Sequence, residues 1–212
     1  MSQSLDPQSA YALWAPTYPA RPHNKLMEVE QAAMLELLAD VSAKTVLDAG
    51  CGTGRYLDLL RRRNAFAIGV DSSPAMLSRV TGASALICGD LYALPFTAES
   101  VDAVVCGLAL GDVSDLVLAI SEFARVLRPG GSLLYSVVHP DGGPAGWTRS
   151  FDTPEGQRHV ATYWHSRATH ERALAAAFAI EAVREPALDG QPVAFVVAAR
   201  RKAAHRKVGA SL

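Results

Sequence analysis

No stretch of this 212-residue chain stays apolar long enough to cross a bilayer, and its first residues, MSQSLDPQSAYALWAPTYPARPHN, lack the basic start and apolar run of an export signal. A cytoplasmic protein without a membrane anchor is expected. Cysteine is scarce: Cys51, Cys88 and Cys106 lie in or beside strand-like apolar runs, and no pair has metal-ligand spacing. That pattern argues against a disulfide framework and a cysteine metal site. His165 and His170 are not spaced as a one-face helical ligand pair, so no metal is assigned. Neither charge sign dominates, with 20 Lys and Arg against 21 Asp and Glu. The chain has no general pull toward nucleic acid or acidic lipid, which favours a small-molecule partner. Arg200, Arg201, Lys202, Arg206 and Lys207 form a basic run at the C-terminus, which reads as a solvated tail.

What is present is an apolar half, enough for one core and one domain. Leu26, Val29, Ala33, Leu37 and Leu38 recur at near-helical spacing and predict an amphipathic helix over 24–41. Strand-like runs follow at 45–49, 65–70, 85–88, 101–106 and 132–139, separated by helical patterns at 54–63, 74–81 and 114–127. Alternating strands and helices imply right-handed crossovers, and the uniformly apolar strands imply a sheet covered on both faces. The motif Arg128-Pro-Gly-Gly131 stops the last of these helices. Residues 141–166, rich in Gly, Pro, aromatic and polar residues, break the pattern and read as a lid or substrate wall. A helix over 168–178 and strands over 180–185 and 193–199 close the chain, the last two as an antiparallel pair. The division expected is an N-terminal cover and helix (1–42), a binding core (43–140), an insert (141–168), a C-terminal helix and hairpin (169–199) and a tail (200–212).

The most informative stretch is Thr45-Val-Leu-Asp-Ala-Gly-Cys-Gly-Thr-Gly-Arg55, a buried strand that ends in an acid and turns through three glycines into a helix. Glycines let the chain turn tightly and a ligand approach closely, and the helix start presents free N–H groups. Asp48 would repel a pyrophosphate and attract an ammonium or sulfonium. The second strand ends in Asp71, about twenty residues on, where a carboxylate can accept from two ribose hydroxyls. The third ends beside Asp90, which can accept from an adenine amino group. A dinucleotide turn would need glycine where Arg55 stands, and no Gly-Lys-Ser or Gly-Lys-Thr phosphate loop occurs. Each aspartate alone also fits a cap or turn former; their order and spacing together point to a nucleoside-bearing cation.

From about Val46 to Pro140 the chain resembles the class I S-adenosylmethionine (SAM)-dependent methyltransferases, most of all the quinone- and biotin-pathway branch. The resemblance rests on VLDAGCGTG, GVDSSPAML, GDLYALPF, SVDAVVCGLALGDV and EFARVLRPGGSLLYSVVHP. It implies a Rossmann-like, doubly wound α/β fold: a mostly parallel seven-stranded sheet with a C-terminal antiparallel hairpin and helices on both faces. It also implies SAM as cofactor. The methionine end would lie near Asp48, Gly50, Cys51 and Gly52, the ribose on Asp71, the adenine between Ser72, Met76 and Leu91 with Asp90 at its amino group, and the sulfonium between Gly107 and Leu108. One departure is visible. Relatives often carry a histidine or aromatic near Gly111 and Asp112, and here the loop reads Leu110-Gly-Asp-Val113, which removes any base carried over from the family.

Methyl transfer from SAM mainly requires holding a nucleophile in line. Where the acceptor must lose a proton, His139 is the candidate base, since Pro140 keeps it extended at the end of the fifth strand; the competing reading is a histidine bonded to structure. His165, at the close of the insert, is a second candidate, with capping or lid packing as its alternative. Tyr11, Trp14 and Tyr18 read either as a cover over the sulfonium, Tyr11 and Tyr18 touching it, or as packing for the first helix. Arg21 is a possible acceptor contact, His23 is assigned to the surface, and Trp147 and Phe151 suit the wall of a flat acceptor. The insert also carries Arg149 and Arg158. The reading that follows, with those arginines and the insert's aromatics, is methyl transfer to the oxygen, nitrogen or carbon of a small, planar polar metabolite, heteroaromatic or carrying a carboxylate. The alternatives are an RNA or protein methyltransferase, a non-catalytic SAM-binding protein, and an oxidoreductase using the same turn for NAD.

Overall fold

The computed structural model describes residues 4–82 and 85–203. Arg206 and Lys207 of the basic run lie outside them. In chain order the core elements are α1 (Pro7–Trp14), α2 (Lys25–Leu37), β1 (Thr45–Ala49), α3 (Arg55–Arg61), β2 (Phe66–Asp71), α4 (Pro74–Leu77), β3 (Ala85–Cys88), β4 (Val101–Gly107), α5 (Leu116–Val126) and β5 (Leu127–Val138). The insert forms β6 (Arg149–Thr153) and β7 (Gly156–Val160), and α6 (Arg167–Ala175), β8 (Phe178–Arg184), β9 (Ala187–Leu188), β10 (Gln191–Pro192) and β11 (Ala194–Arg201) follow.

Seven strands form one sheet in the order β3-β2-β1-β4-β5-β11-β8. The pairs from β3 to β5 are parallel, whereas β11 runs antiparallel to both β5 and β8. The expected mostly parallel sheet with a C-terminal antiparallel pair is therefore what the chain forms. Side chains alternate across a strand, and each central strand accordingly feeds two cores. Leu47, Val104, Leu133 and Val197 face α5 and α6, while Val46, Val105, Leu134 and Val196 face α2 and α3. This two-sided burial is why the strands read as unbroken apolar runs.

The boundaries shift where local polar groups compete with the helix. The helix expected over 24–41 ends at Leu37, because Leu38 turns extended and the Asp40 carboxylate accepts from the Ser42 backbone N–H. Helix α5 ends at Val126 before Arg128-Pro-Gly-Gly131, but those four residues join β5 through an irregular pairing with β4. Arg200 and Arg201, assigned to a solvated tail, instead end β11 and pair with Glu181 and Glu99. Arg201 also donates to the Leu127 carbonyl.

Two elements were absent from the sequence reading. Helix α1 is capped by Asp6, whose carboxylate accepts from the Ser9 N–H, with Pro7 at its first position. The insert holds the β6–β7 hairpin, and Leu5 bridges to Val160, so the N-terminal segment and the insert form one structural unit. Trp14 stacks on Phe151 with ring centroids 4.8 Å apart at the centre of that unit.

A buried carboxylate organises the opposite side of the core. Glu30 of α2 is fully buried; Oε2 accepts from Arg55 at 2.7 Å, and Oε1 accepts from the Tyr56 hydroxyl at 2.8 Å and the Ser136 hydroxyl at 2.5 Å. Removing one partner of such a pair strands the other charge, a cost of about 3–5 kcal/mol. We expect Glu30→Ala to lose stability on that scale in urea denaturation. A loss below about 1 kcal/mol, the range of exposed pairs, would show that the network is incidental.

Candidate functional site

The sheet changes direction between β1 and β4, since β2 and β3 lie on one side of β1 while β4 and β5 lie on the other. Clefts at the carboxyl ends of strands at such a switch point are where this architecture holds ligands. Here the glycine turn leaves β1. Gly50, Gly52 and Gly54 all have positive φ, at 71°, 54° and 90°. Gly50 has a second reason to lack a side chain: a Cβ there would lie 2.4 Å from the Cβ of Ala109 in the turn after β4. The two turns touch, and together they form the floor of a cavity of about 400 Å³.

Asp71, at the end of β2, straps the glycine turn in place. Its Oδ2 accepts from the Gly52 N–H at 2.8 Å and its Oδ1 from the Ser73 N–H at 2.9 Å. An ionised carboxylate has about four acceptor sites, so each oxygen keeps capacity for a ligand hydroxyl. Asp48 differs in kind. It is 1% exposed, lines the cavity, and its Oδ2 has no hydrogen-bond partner. Burial raises its pKa to about 7. The neighbouring Thr53 hydroxyl is likewise buried without a partner.

On the β4 side, Leu108 sits in the left-handed region with φ of 62°, a conformation that costs a branched side chain about 1–3 kcal/mol. Its N–H is directed to Ser136, at 3.0 Å from both the hydroxyl and the carbonyl. Gly107 is obligatory beside it, because a Cβ would fall 2.1 Å from the Tyr56 ring. The Glu30 network thus sets both turns of the floor, through Arg55 and Tyr56 on one side and Ser136 on the other.

The roof comes from segments outside the core. Tyr11, Trp14, Tyr18 and His23 precede α2, and Trp147, Arg149 and Trp164 come from the insert. Arg149 donates to Asp112 Oδ1 at 2.5 Å and to the Tyr11 hydroxyl, which donates in turn to Asp112 Oδ2 at 3.0 Å. This cluster joins α1, β6 and the turn after β4. Both charges are mostly covered, with 19% and 14% of the Arg149 and Asp112 side chains exposed.

Of the residues picked out by sequence, the structure brings Tyr11, Trp14, Tyr18, Asp48, Gly50, Cys51, Gly52, Asp71, Met76, Gly107, Leu108 and Trp147 to this one cavity. It does not bring the two candidate bases there. Val138 faces the cavity, so strand alternation turns His139 the other way, where its ring packs edge-on to Phe195 and its Nδ1 accepts from the Asp141 N–H. His165 donates from Nε2 to the Val113 carbonyl at 2.8 Å and fastens the end of the insert to the loop after β4. Arg21 is exposed and outside the wall.

Of the expected adenine contacts Met76 lines the cavity, while Ser72 and Asp90 are exposed, the Asp90 carboxylate accepts from the Tyr92 N–H, and Leu91 packs in the core near Gly50. His23, assigned to the surface, is exposed there, and it also stands at the cavity rim against Trp14 and Tyr18. Partial burial lowers its pKa. Asp112, Arg55 and Glu30 had no assigned place in the site, and the ion-pairing geometry reveals them; Arg149, noted in the insert, is the partner of Asp112.

Residues 47–135 match the family model described as a methyltransferase domain. This segment of the chain is therefore similar to a methyltransferase domain. A malonyl-[acyl-carrier protein] O-methyltransferase of Erwinia pyrifoliae is 34% identical over 144 residues, covering 65% of this chain and 54% of that protein. The chain thus spans about half the length of the curated relatives it matches. Among solved structures, a SAM-dependent methyltransferase of Mesorhizobium loti superposes with a TM-score of 0.69 at 24% identity, over 82% of this chain and 98% of that one. The [4+2]-cyclase SpnF superposes equally well, with a TM-score of 0.69 at 19% identity over 92% and 96% of the two chains. The fold therefore does not specify the reaction, which must be argued from the cavity.

The roof generates a prediction of its own. Half-buried Trp14 is its packing centre, stacked on the buried Phe151 ring, so truncating it removes the contact that joins α1 to the insert. We expect Trp14→Ala to accelerate amide exchange in α1, β6 and β7 together while β1 and β4 stay protected. Acceleration in α1 alone would contradict a jointly formed roof.

Proposed function

We propose that this protein binds SAM at the floor of the cavity and transfers its methyl group to a small, planar polar acceptor held beneath the roof. The observation that carries this reading is the buried, unpartnered Asp48 carboxylate beside the glycine turn. An orphaned acid in a low-dielectric wall calls for a cationic hydrogen-bond donor, such as the ammonium of a methionine moiety. Asp71, with acceptor capacity left on both oxygens, would hold the ribose hydroxyls. Met76, Gly107 and Leu108 would line the path between ribose and sulfonium.

SAM supplies an activated methyl group on a sulfonium, so the chain's contribution is placement and exclusion of water. Leu108 and Gly107, fixed through Ser136 and Tyr56, define where the methyl end can sit. The aromatic rings of Tyr11, Trp14 and Tyr18 present faces to a cation and shield it from solvent. The acceptor lies against Trp147 and Trp164 and is held in line. His23 replaces His139 and His165 as the group positioned to receive a proton, because it lines the rim, is neutral at pH 7 through its lowered pKa, and can pass the proton to bulk water.

Two outcomes test the cofactor assignment. In the free protein Asp48 is partly protonated near pH 7. A bound cation favours its ionised form, so binding releases a proton, and SAM affinity rises as pH increases toward and through 7. Calorimetry in buffers of differing ionisation enthalpy should show that release in the wild type and lose it in Asp48→Asn. Asp71→Ala should weaken SAM binding by about ten- to a hundredfold or more, since a single charge-assisted hydrogen bond is already worth about 1.5–3 kcal/mol. Binding of NAD in place of SAM would overturn the assignment altogether.

A further inference from the structure

The cavity wall contains two guanidinium groups, and neither is available to a ligand. Arg55 is held behind the floor by Glu30 at 2.7 Å. Arg149 is held in the roof by Asp112 at 2.5 Å, with its second amino group on the Tyr11 hydroxyl. The acids are not balanced in the same way: among the described residues Asp48 and Asp71 make no ion pair, although both line the cavity. Tyr11 and Tyr18 stay protonated, since burial raises both phenols. His23 is neutral at the rim.

Resting on the SAM reading, the net single positive charge of the cofactor falls short of the two unpaired acids of the floor, Asp48 and Asp71. No positive charge then remains for the acceptor. An anionic acceptor placed against Arg149 would also meet the Asp112 carboxylate at close range, in a site where like charges interact strongly. The rest of the acceptor wall is flat and uncharged, with the rings of Trp14, Trp147 and Trp164.

We infer that the acceptor is an uncharged aromatic bearing a hydroxyl or N–H nucleophile, and that Asp112 sets this specificity by masking Arg149. The transfer balances without a further reactant. The acceptor heteroatom forms the new bond to the methyl carbon as the carbon–sulfur bond breaks, leaving a neutral thioether. The proton lost from the heteroatom goes to His23 and then to water. Asp112 is a positioning residue in this scheme: it acts on the acceptor through Arg149. The inference differs from what the malonyl-[acyl-carrier protein] relatives' name describes, a carboxylate-bearing acceptor.

The test is equilibrium binding of a matched pair of probes, 2-naphthol and 2-naphthoate, to protein saturated with S-adenosylhomocysteine at pH 7. Failure to bind S-adenosylhomocysteine would refute the cofactor reading, whereas the probe ratio addresses the acceptor. We expect wild-type protein to prefer naphthol by about tenfold or more, as like-charge juxtaposition predicts. Asp112→Asn unmasks Arg149 and should shift the ratio toward naphthoate by about tenfold. Adding Arg149→Ala to that variant should cancel the shift, and Asp112→Glu, which retains the charge, should keep the wild-type preference. Equal or tighter binding of naphthoate to the wild type, no binding of either probe, or an unchanged ratio in a folded Asp112→Asn variant would each overturn the inference. Should Asp112→Asn fail to fold, the wild-type ratio decides alone.

Discussion

The buried carboxylate of Glu30 is the constraint from which the geometry of the site follows. It lies on α2, an element that touches no part of the glycine motif in sequence, yet it accepts from Arg55 and Tyr56 at the start of α3 and from Ser136 on β5. Each of these partners holds something at the cavity. Tyr56 fills the space that a side chain at Gly107 would need, and Ser136 receives the N–H of the strained Leu108. A charge buried this deeply is tolerated only because three donors satisfy it. Moving α2 would therefore disturb both turns of the floor at once.

The floor and roof of the cavity obey opposite electrostatic rules. In the floor, Asp48 is left without a partner and its pKa rises to about 7 through desolvation. In the roof, every strong charge is matched locally, Arg149 with Asp112 and both with Tyr11. An unsatisfied buried acid marks a place where a ligand completes the structure, whereas a closed ion pair marks a place where it does not. That contrast separates the cofactor end of the cavity from the acceptor end, with no appeal to what related proteins bind.

The architecture was largely legible in the sequence because the central strands are buried on both faces and their apolar runs stand out from the helical patterns between them. Thr45–Ala49 and Ala85–Cys88 match the strands to the residue. Strand-end acids were legible for the same reason, and Asp48 and Asp71 reach the cavity. Side-chain direction was not. Whether His139 or Val138 faces the ligand edge depends on strand phase, and a shift of one residue reverses it. His139 was chosen for its chemistry, while the phase placed Val138 in the wall. The cover and lid were expected, but their elements escaped because they are short and support one another: α1 has eight residues, below the length at which an isolated helix persists, and the β6–β7 hairpin would be marginal alone. Their stability is tertiary, from Trp14 on Phe151 and Leu5 on Val160, and no local pattern encodes it.

This division bears on how reaction specificity is distributed along the chain. The floor is built from the domain core, within or next to the segment that matches the methyltransferase family model, and the fold is shared with a methyltransferase and with a [4+2]-cyclase. The roof is built from residues before 25 and after 140, and it bonds to the turn after β4 at Asp112, through Tyr11 and Arg149, and at Gly111 and Val113, through Tyr163 and His165. Asp112 is thus the one residue of the core turn that bonds to both roof segments, through Tyr11 and Arg149. A change in the roof would alter the acceptor wall while leaving Asp48, Asp71 and the glycine turn in place. A change at Asp112 would uncover a guanidinium in the cavity wall while Tyr163 and His165 still hold the insert to Gly111 and Val113, so the charge of that wall depends on a single carboxylate.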